Sequence, residues 1–401
     1  MKRLMCFVLI FSLLFTITGC WDARDIEDIA LSSAMAIDKT PDGKIKVTLQ
    51  IINPANISPT GGGVGGGGIG QGSKYWNVSG TGNTISQAIS KISNSMPKTF
   101  YLAQNNIIII GESLAKSGFG KLLDSTVREP TIRLTNYVLI SKGYAYDILA
   151  IPPNIEEVLS SEILESITTL AFANTVPSQI KDIAACFIGP SSCFATTKIE
   201  GVAKSPQPEQ GNQSGKNDPE SDKQINLQGL AIVKKGKLID YLTQNESYGY
   251  ALIKNKVPRL DITVTYPGIK NSQIGIHIIR AISNTSAEIK DGKLIYNVKV
   301  NAEGDITEIA CDLNVSNPQN IDKINKAVEK KLSDYIHITF NKAQNLDADF
   351  LEFLNIFHKS YPKEYKIYKS RWDELFPSIQ LNVKVEYNTR RHGVNSRSIQ
   401  E

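Results

Sequence analysis

Four residues near the amino terminus, Ile17-Thr18-Gly19-Cys20, combine an apolar side chain, two small residues and a thiol. A bacterial lipoprotein processing site has this form. Glycine lets the extended chain enter a protease cleft, and the thiol takes a diacylglycerol group before cleavage leaves cysteine as residue one. The preceding residues agree. Met1-Lys2-Arg3 gives a basic start, and Leu4 to Ile17 is an apolar run of 14 residues. That is shorter than the ~20 residues that span a bilayer and has the length of an export-signal core. Residues 1–19 are therefore expected to be a signal peptide. Cys20 is expected to carry S-linked diacylglycerol, its freed amino group open to a further acyl chain, rather than to be a small apolar residue after an uncleaved anchor. Trp21 beside it belongs either at headgroup level or against the first domain.

Other residues that could do chemistry lack the required spacing. His277, His337, His358 and His392 form no His-x-x-x-His or His-Glu-x-x-His pattern and have no nearby cysteine pair, so no metal site is expected. Gly61 to Gly70 holds eight glycines and matches G-x-G-x-x-G by repetition alone. It leads into the strand-like SKYWNVSG instead of the helix whose N-terminus would hold a pyrophosphate. No Gly-x-Ser-x-Gly elbow occurs, and Glu156-Glu157 reads as a solvated helix face. These patterns predict no enzyme, and no cofactor beyond the covalent lipid. Cys186, Cys193 and Cys311 are an odd number, which argues against a disulfide framework. A Cys186–Cys193 bridge across FIGPSS and a pair of reduced thiols both remain open. Arg128 and Arg133 flank Glu129-Pro130 where a helix ends and a strand begins. They either hold that joint against the helix dipole or contact a partner.

The elements that would position these residues can be read from periodicity. KTPDGKIKVTLQIIN predicts a hairpin at Pro41-Asp42-Gly43, and 59–73 is a glycine-rich loop. Asn83 or Thr84 caps a helix with Ile85, Ala88, Ile89 and Ile92 on its apolar face. Ile107 to Ile110 is a buried strand, followed by a helix around Leu114 to Val127 and a strand after Thr131. This alternation predicts a mixed α/β domain over 20–203. Residues 204–224 contain no Val, Ile, Leu, Phe, Tyr, Trp or Met and read as a disordered linker. Residues 225–395 then read as an α+β region, in one lobe or two (225–270 and 271–395). Alternating β-branched segments there predict an antiparallel sheet with hairpins at Lys235-Gly236 and Asp291-Gly292. A long helix starts at Asn317-Pro318 with Ile321, Ile324, Val328, Leu332, Tyr335 and Ile336 on one face. Shorter helices split at Pro362, and SIQLNVKVEYNTR closes the chain as a strand.

Composition sets the remaining bounds. Forty-one per cent hydrophobic residues suffice for real cores. Loss of Lys2 and Arg3 with the signal peptide leaves 42 basic against 40 acidic residues, a net charge of about +2. That balance gives no basic field for nucleic acid.

With these residues in view, the chain resembles the Ger(x)C family, the lipoprotein C subunits of spore germinant receptors. The resemblance rests on GCWDARDIEDIALSSAMAID, in which Cys20, Trp21, Asp22, Arg24 and Ile37-Asp38 carry the opening motif. It continues through SGTGNTISQAISKI, IIIIGESLAKSGFGKLLD, VREPTIR and GLAIVKKGKLIDYLT. It ends with Trp372, Phe376, Val383, Val385 and Gly393. Two stretches depart from the family pattern: the glycine run at Gly61 is long, and no glycine follows Asp349-Phe350-Leu351. The resemblance implies a multi-lobed mixed fold and a non-enzymatic subunit anchored through Cys20 on the outer face of the spore inner membrane. It further implies integral membrane A- and B-type partners and a role in germination in response to nutrients. Trp372 joins Trp21, Arg128 and Arg133 as a structural or interface residue. Two other classes compete: a lipoprotein solute-binding protein of a transporter, and a lipid-anchored cell-wall hydrolase. The hairpin-rich second half disfavours the first, and the second needs catalytic groups that the patterns do not supply.

Overall fold

The computed structural model describes residues 28–53, 74–96, 98–169, 174–189, 191–204, 222–257 and 259–391. The signal peptide, Cys20, Trp21, the 59–73 loop, His392 and Gly393 lie outside them.

Most of the first half is built on one sheet. Its strands β1 (Ile29–Lys39), β2 (Ile45–Ile52) and β3 (Tyr75–Gly82) run antiparallel as a meander closed at Pro41-Asp42-Gly43. On the other side of β1 lie β4 (Thr99–Tyr101) and β5 (Ile107–Ile110), both parallel to it, then β6 (Tyr137–Ser141), parallel to β5. A short β7 (Ser178–Gln179) pairs with β6, and β8 (Cys193–Ala203) runs parallel to β6. All four isoleucines of β5 are buried because helices cover both faces of the sheet. Helices α1 (Ile85–Ser95), α2 (Glu112–Ser117) and α3 (Gly120–Arg128) cover one face. The opposite face carries α4 (Ala145–Ala150) and α5 (Leu159–Thr168). A further helix, α6 (Ile180–Ile188), returns to the first face.

Local chemistry explains the boundaries. The Thr84 hydroxyl accepts the Gln87 N–H at 3.1 Å, while the Gln87 side chain accepts the Asn83 N–H at 2.6 Å, so both expected cap residues are used. A Cβ on Gly80 would meet the Ala88 carbonyl, so the SGTG stretch lets α1 lie directly on β3. The single helix expected over Leu114 to Val127 is two. Gly118 at φ +109 breaks it and hands Phe119 into the core.

The segment 204–224 does not separate two bodies. Strand β9 (Lys223–Asn226) returns antiparallel along β8, and Lys204 N–H donates to the Asp222 carbonyl at 2.8 Å. Next, β10 (Leu230–Lys234) also pairs β8, and β11 (Lys237–Leu242) completes the edge. Most of the expected linker, 205–221, lies outside the described residues, but the strands on either side of it pair, and residues 223–242 finish the first sheet, which has eleven strands among the described residues. Composition detects a poorly apolar loop but says nothing about whether its two ends pair.

After α7 (Gln244–Ile253) the second sheet begins: β12 (Leu260–Val264), β13 (Ile274–Lys290), β14 (Lys293–Ile309) and β15 (Gln380–Arg391). The hairpin of β13 and β14 turns at Asp291-Gly292, both with positive φ. The last pair, β14 with β15, is parallel and not antiparallel, because a helical crossover joins those strands. That crossover starts with α8 (Pro318–Asn345), where Asn317 accepts the Gln319 N–H at 3.0 Å. Its buried stripe from Ile324 to Ala343 packs against Val298, Val300 and Tyr296. Burying each large apolar side chain there contributes about 1.5–3 kcal/mol. The crossover continues in α9 (Phe353–Ser360), α10 (Pro362–Tyr368) and α11 (Trp372–Leu375). Cys193, Ala195, Leu230 and Ile232 of the first sheet share this core, so the two sheets are packed as one molecule of α+β architecture.

Candidate functional site

Residues quoted for the family resemblance meet at the carboxyl ends of β1, β5 and β6. Asp38 ends the opening motif, and its two carboxylate oxygens accept the N–H groups of Ala145 at 2.7 Å and Tyr146 at 2.9 Å. Burial raises the Asp38 carboxyl above its ordinary range, although those two N–H groups pull it down. A Cβ on Gly111 would collide with the Asp38 carboxylate, which explains the glycine after the isoleucine run. The neighbouring Glu112 accepts the Gly143 N–H at 3.0 Å and pairs with Lys116 at 2.6 Å. Ser113, Tyr144 and these groups line a hollow of about 350 Å³. Open α/β sheets hold ligands at such carboxyl ends. Here the Glu112 and Lys116 charges are already satisfied by one another, and the cluster works as a seam joining three strands.

A second joint lies where the crossover helices meet the core. Trp372 is 5% exposed and donates its indole N–H to Asp349 at 3.1 Å. The same carboxylate accepts the N–H groups of Phe353 and Leu354, both at 2.8 Å, and thereby caps α9. Burial pushes Asp349 up to about 7 against the opposing pull of these three donors. Tyr296 stacks on Phe353 at 4.2 Å and donates to its carbonyl at 2.6 Å. Where a glycine is missing after Leu351, Glu352 takes the left-handed conformation itself, at φ 60 and ψ 37. Its carboxylate pairs with Lys254 at 2.8 Å. Trp372 is therefore a core residue.

Arg128 and Arg133 are exposed and lie at the other end of the first sheet. Arg128 pairs with Asp124 one helical turn back, at 2.8 Å, with both side chains more than half exposed. The Arg133 carbonyl accepts the Asn136 N–H in the turn entering β6. The structure brings these two arginines to one edge and separates them from Trp372.

The remaining candidates are structural. His277 pairs with Asp261 across β12 and β13 at 2.5 Å, His337 bonds the Ser333 carbonyl at 2.8 Å, and His358 packs on Tyr365. Cys186 and Cys193 are buried free thiols with no bridge between them, and burial pushes both up to about 12. Among the described residues no three His, Cys, Asp or Glu side chains gather as a metal site, and no helix is long and apolar enough to cross a membrane.

Comparisons with known proteins cover nearly the whole chain. Residues 22–200 match the family model described as spore germination protein N-terminal domain. Residues 228–393 match the one described as spore germination B3/GerAC like, C-terminal. Among curated proteins, the chain is 28% identical to spore germination protein KC of Bacillus subtilis, over 99% of this chain and 98% of that one. It is 24% identical to spore germination protein B3 of the same organism, over 98% and 99%. The crystal structure of the GerBC protein superposes with a TM-score of 0.56 at 18% identity, covering 91% of this chain and 100% of that one. That likeness concerns the fold.

Proposed function

The chain belongs to the Ger(x)C family of spore germination proteins, and from that premise we propose that it is a lipid-anchored, non-enzymatic subunit of a nutrient germinant receptor. The observation that carries the reading is the conjunction of a processing site at Cys20 with family matches to both halves of the mature chain. Two acyl chains hold far better than the marginal single one, so Cys20 would tether the protein stably. Tethering on the outer face of the spore inner membrane raises its effective concentration beside integral A- and B-type subunits. Its part in the response would be association, with Asp38, Asp349 and Trp372 keeping the surfaces in register. A transporter's solute-binding protein closes two lobes over a cleft, whereas here both sheets contribute to one shared core.

The test uses dormant spores lacking this gene, following the fall in optical density after a panel of nutrients. Loss of response to one nutrient class, restored by the wild-type gene but poorly by Cys20→Ala, supports the reading. Restoration by Cys20→Ala as complete as by the wild type refutes the anchor.

A further inference from the structure

We propose that the amino edge of the parallel strands, carrying Lys98, Tyr101, Val127, Arg133, Leu134 and Lys181, rests on the headgroup surface of the bilayer that holds the Cys20 lipid. This rests on the reading of Cys20 as a lipidated residue.

Register places these residues together at one end of the sheet. Leu31 near the start of β1 pairs Tyr101, while Ala34 pairs Ile107, which in turn pairs Tyr137 at the start of β6. The turn before β6 bears Arg133 and Leu134, and the Leu134 carbonyl accepts the Lys181 N–H at 3.0 Å as α6 begins. Val127 lies in the last turn of α3, which leads into the same connection.

Tether length favours this edge. Cys20 precedes Ile29 by nine residues, which span at most about 32 Å fully extended. Strand β1 runs from Ile29 to Lys39, about 33 Å at 3.3 Å per residue. With the carboxyl edge on the bilayer the whole tether would be drawn out nearly straight, at a cost in chain entropy. With the amino edge down it stays slack.

The surface chemistry agrees. Tyr101, Val127 and Leu134 are 41%, 41% and 44% exposed, which for an aromatic ring and two aliphatic side chains is a large outward area. Lys98, Arg133 and Lys181 are exposed around them and make no ion pair with the described residues. Of the nearby carboxylates, Glu129 is engaged by Thr131, Asp182 by the Gln179 N–H and Asp124 by Arg128, which leaves Asp28 at the start of β1 as the exposed acid set against three cations. Unpaired cations beside exposed apolar groups fit anionic headgroups better than water alone.

The test reconstitutes the full lipidated mature chain in vesicles of phosphatidylglycerol and phosphatidylethanolamine, without other proteins. An environment-sensitive, polar thiol reagent labels Leu134→Cys in a Cys311→Ser background, since Cys186 and Cys193 are buried. Asn388→Cys on the outer face of the second sheet is the control. Blue-shifted emission and quenching by nitroxide-bearing lipid at position 134, absent at 388 and reduced several-fold by Arg133→Glu with Lys181→Glu, support the proposal. Cys20-dependent flotation with vesicles but no signal at 134 overturns this face while leaving the anchor intact. A signal that arises only when integral receptor subunits are added overturns it in favour of a protein interface. Flotation unaffected by Cys20→Ala overturns the anchor reading and this orientation with it.

Discussion

Replacing Asp349 by asparagine isolates the energetic consequence of burying one carboxyl group. Its pKa rises from an ordinary 3.8 to about 7 because the group is taken out of water between α9 and Trp372. In the unfolded chain it titrates near 3.8, so between these values the folded state binds the extra proton. The sign follows: this group's contribution to stability is fully present below the unfolded value and is lost as pH rises toward 7. Each unit of difference is worth 1.36 kcal/mol, so the whole window amounts to about 4 kcal/mol, more than half of which falls between pH 5 and pH 8. The substituted amide would keep one acceptor for the N–H groups of Phe353 and Leu354 and lose the other, a cost that does not change with pH. Urea unfolding of the mature chain and of Asp349→Asn, followed by circular dichroism at pH 5, 6, 7 and 8, reads the difference directly. The wild type should lose about 2–3 kcal/mol relative to the variant across that range. An unchanged difference would refute the reasoning. It would mean that the three hydrogen bonds from Phe353, Leu354 and Trp372 outweigh burial and hold the carboxyl at an ordinary value.

Other contacts make further predictions. Gly249→Ala should cost about 2 kcal/mol or more in the same unfolding assay, because its Cβ would enter the Tyr335 carbonyl and the Thr339 hydroxyl where α7 crosses α8. The Tyr387 N–H on the outer edge of β15 donates to Glu329 of α8 at 3.1 Å. Glu329→Ala should bare that edge and produce concentration-dependent self-association by analytical ultracentrifugation while the wild type stays unchanged. Arg128→Ala should leave the urea midpoint unchanged within error, because both partners of its pair are exposed to water and screened. A chain beginning at Trp21 should show one accessible thiol, Cys311, in the native state and three after denaturation, measured by thiol titration.

Elements marked by a local residue signature were legible from sequence. The cap at Thr84, the isoleucine strand β5, the Asp291-Gly292 hairpin and the stripe of α8 each carry a local signature that tertiary packing only reinforces. Helix α7 was not, because every residue from Ser247 to Ile253 is buried and no polar face marks a period. The Thr243 to Glu246 capping box was its one available signal. The seam at Asp38 was also hidden, since its partners lie 107 and 108 residues away. Trp372 could be singled out by resemblance, but its role needed the position of Asp349. Arg128 and Arg133 could be placed at a helix–strand joint. Their common edge depends on strand order, which neither periodicity nor composition specifies.

The return of residues 223–242 to the first sheet has a consequence for the order in which the molecule is made. A growing chain emerges amino end first, and until Leu242 has followed, β8 is left with its outer backbone groups open. During that interval the nascent amino-terminal half presents a bare strand of eleven residues, an invitation to mispair with neighbouring chains. Maturation should therefore be concerted and late. A truncation ending at residue 204 would be a poorer folder than its match to an amino-terminal family domain suggests, and co-expression of the remainder in trans would rescue it by supplying the missing strands.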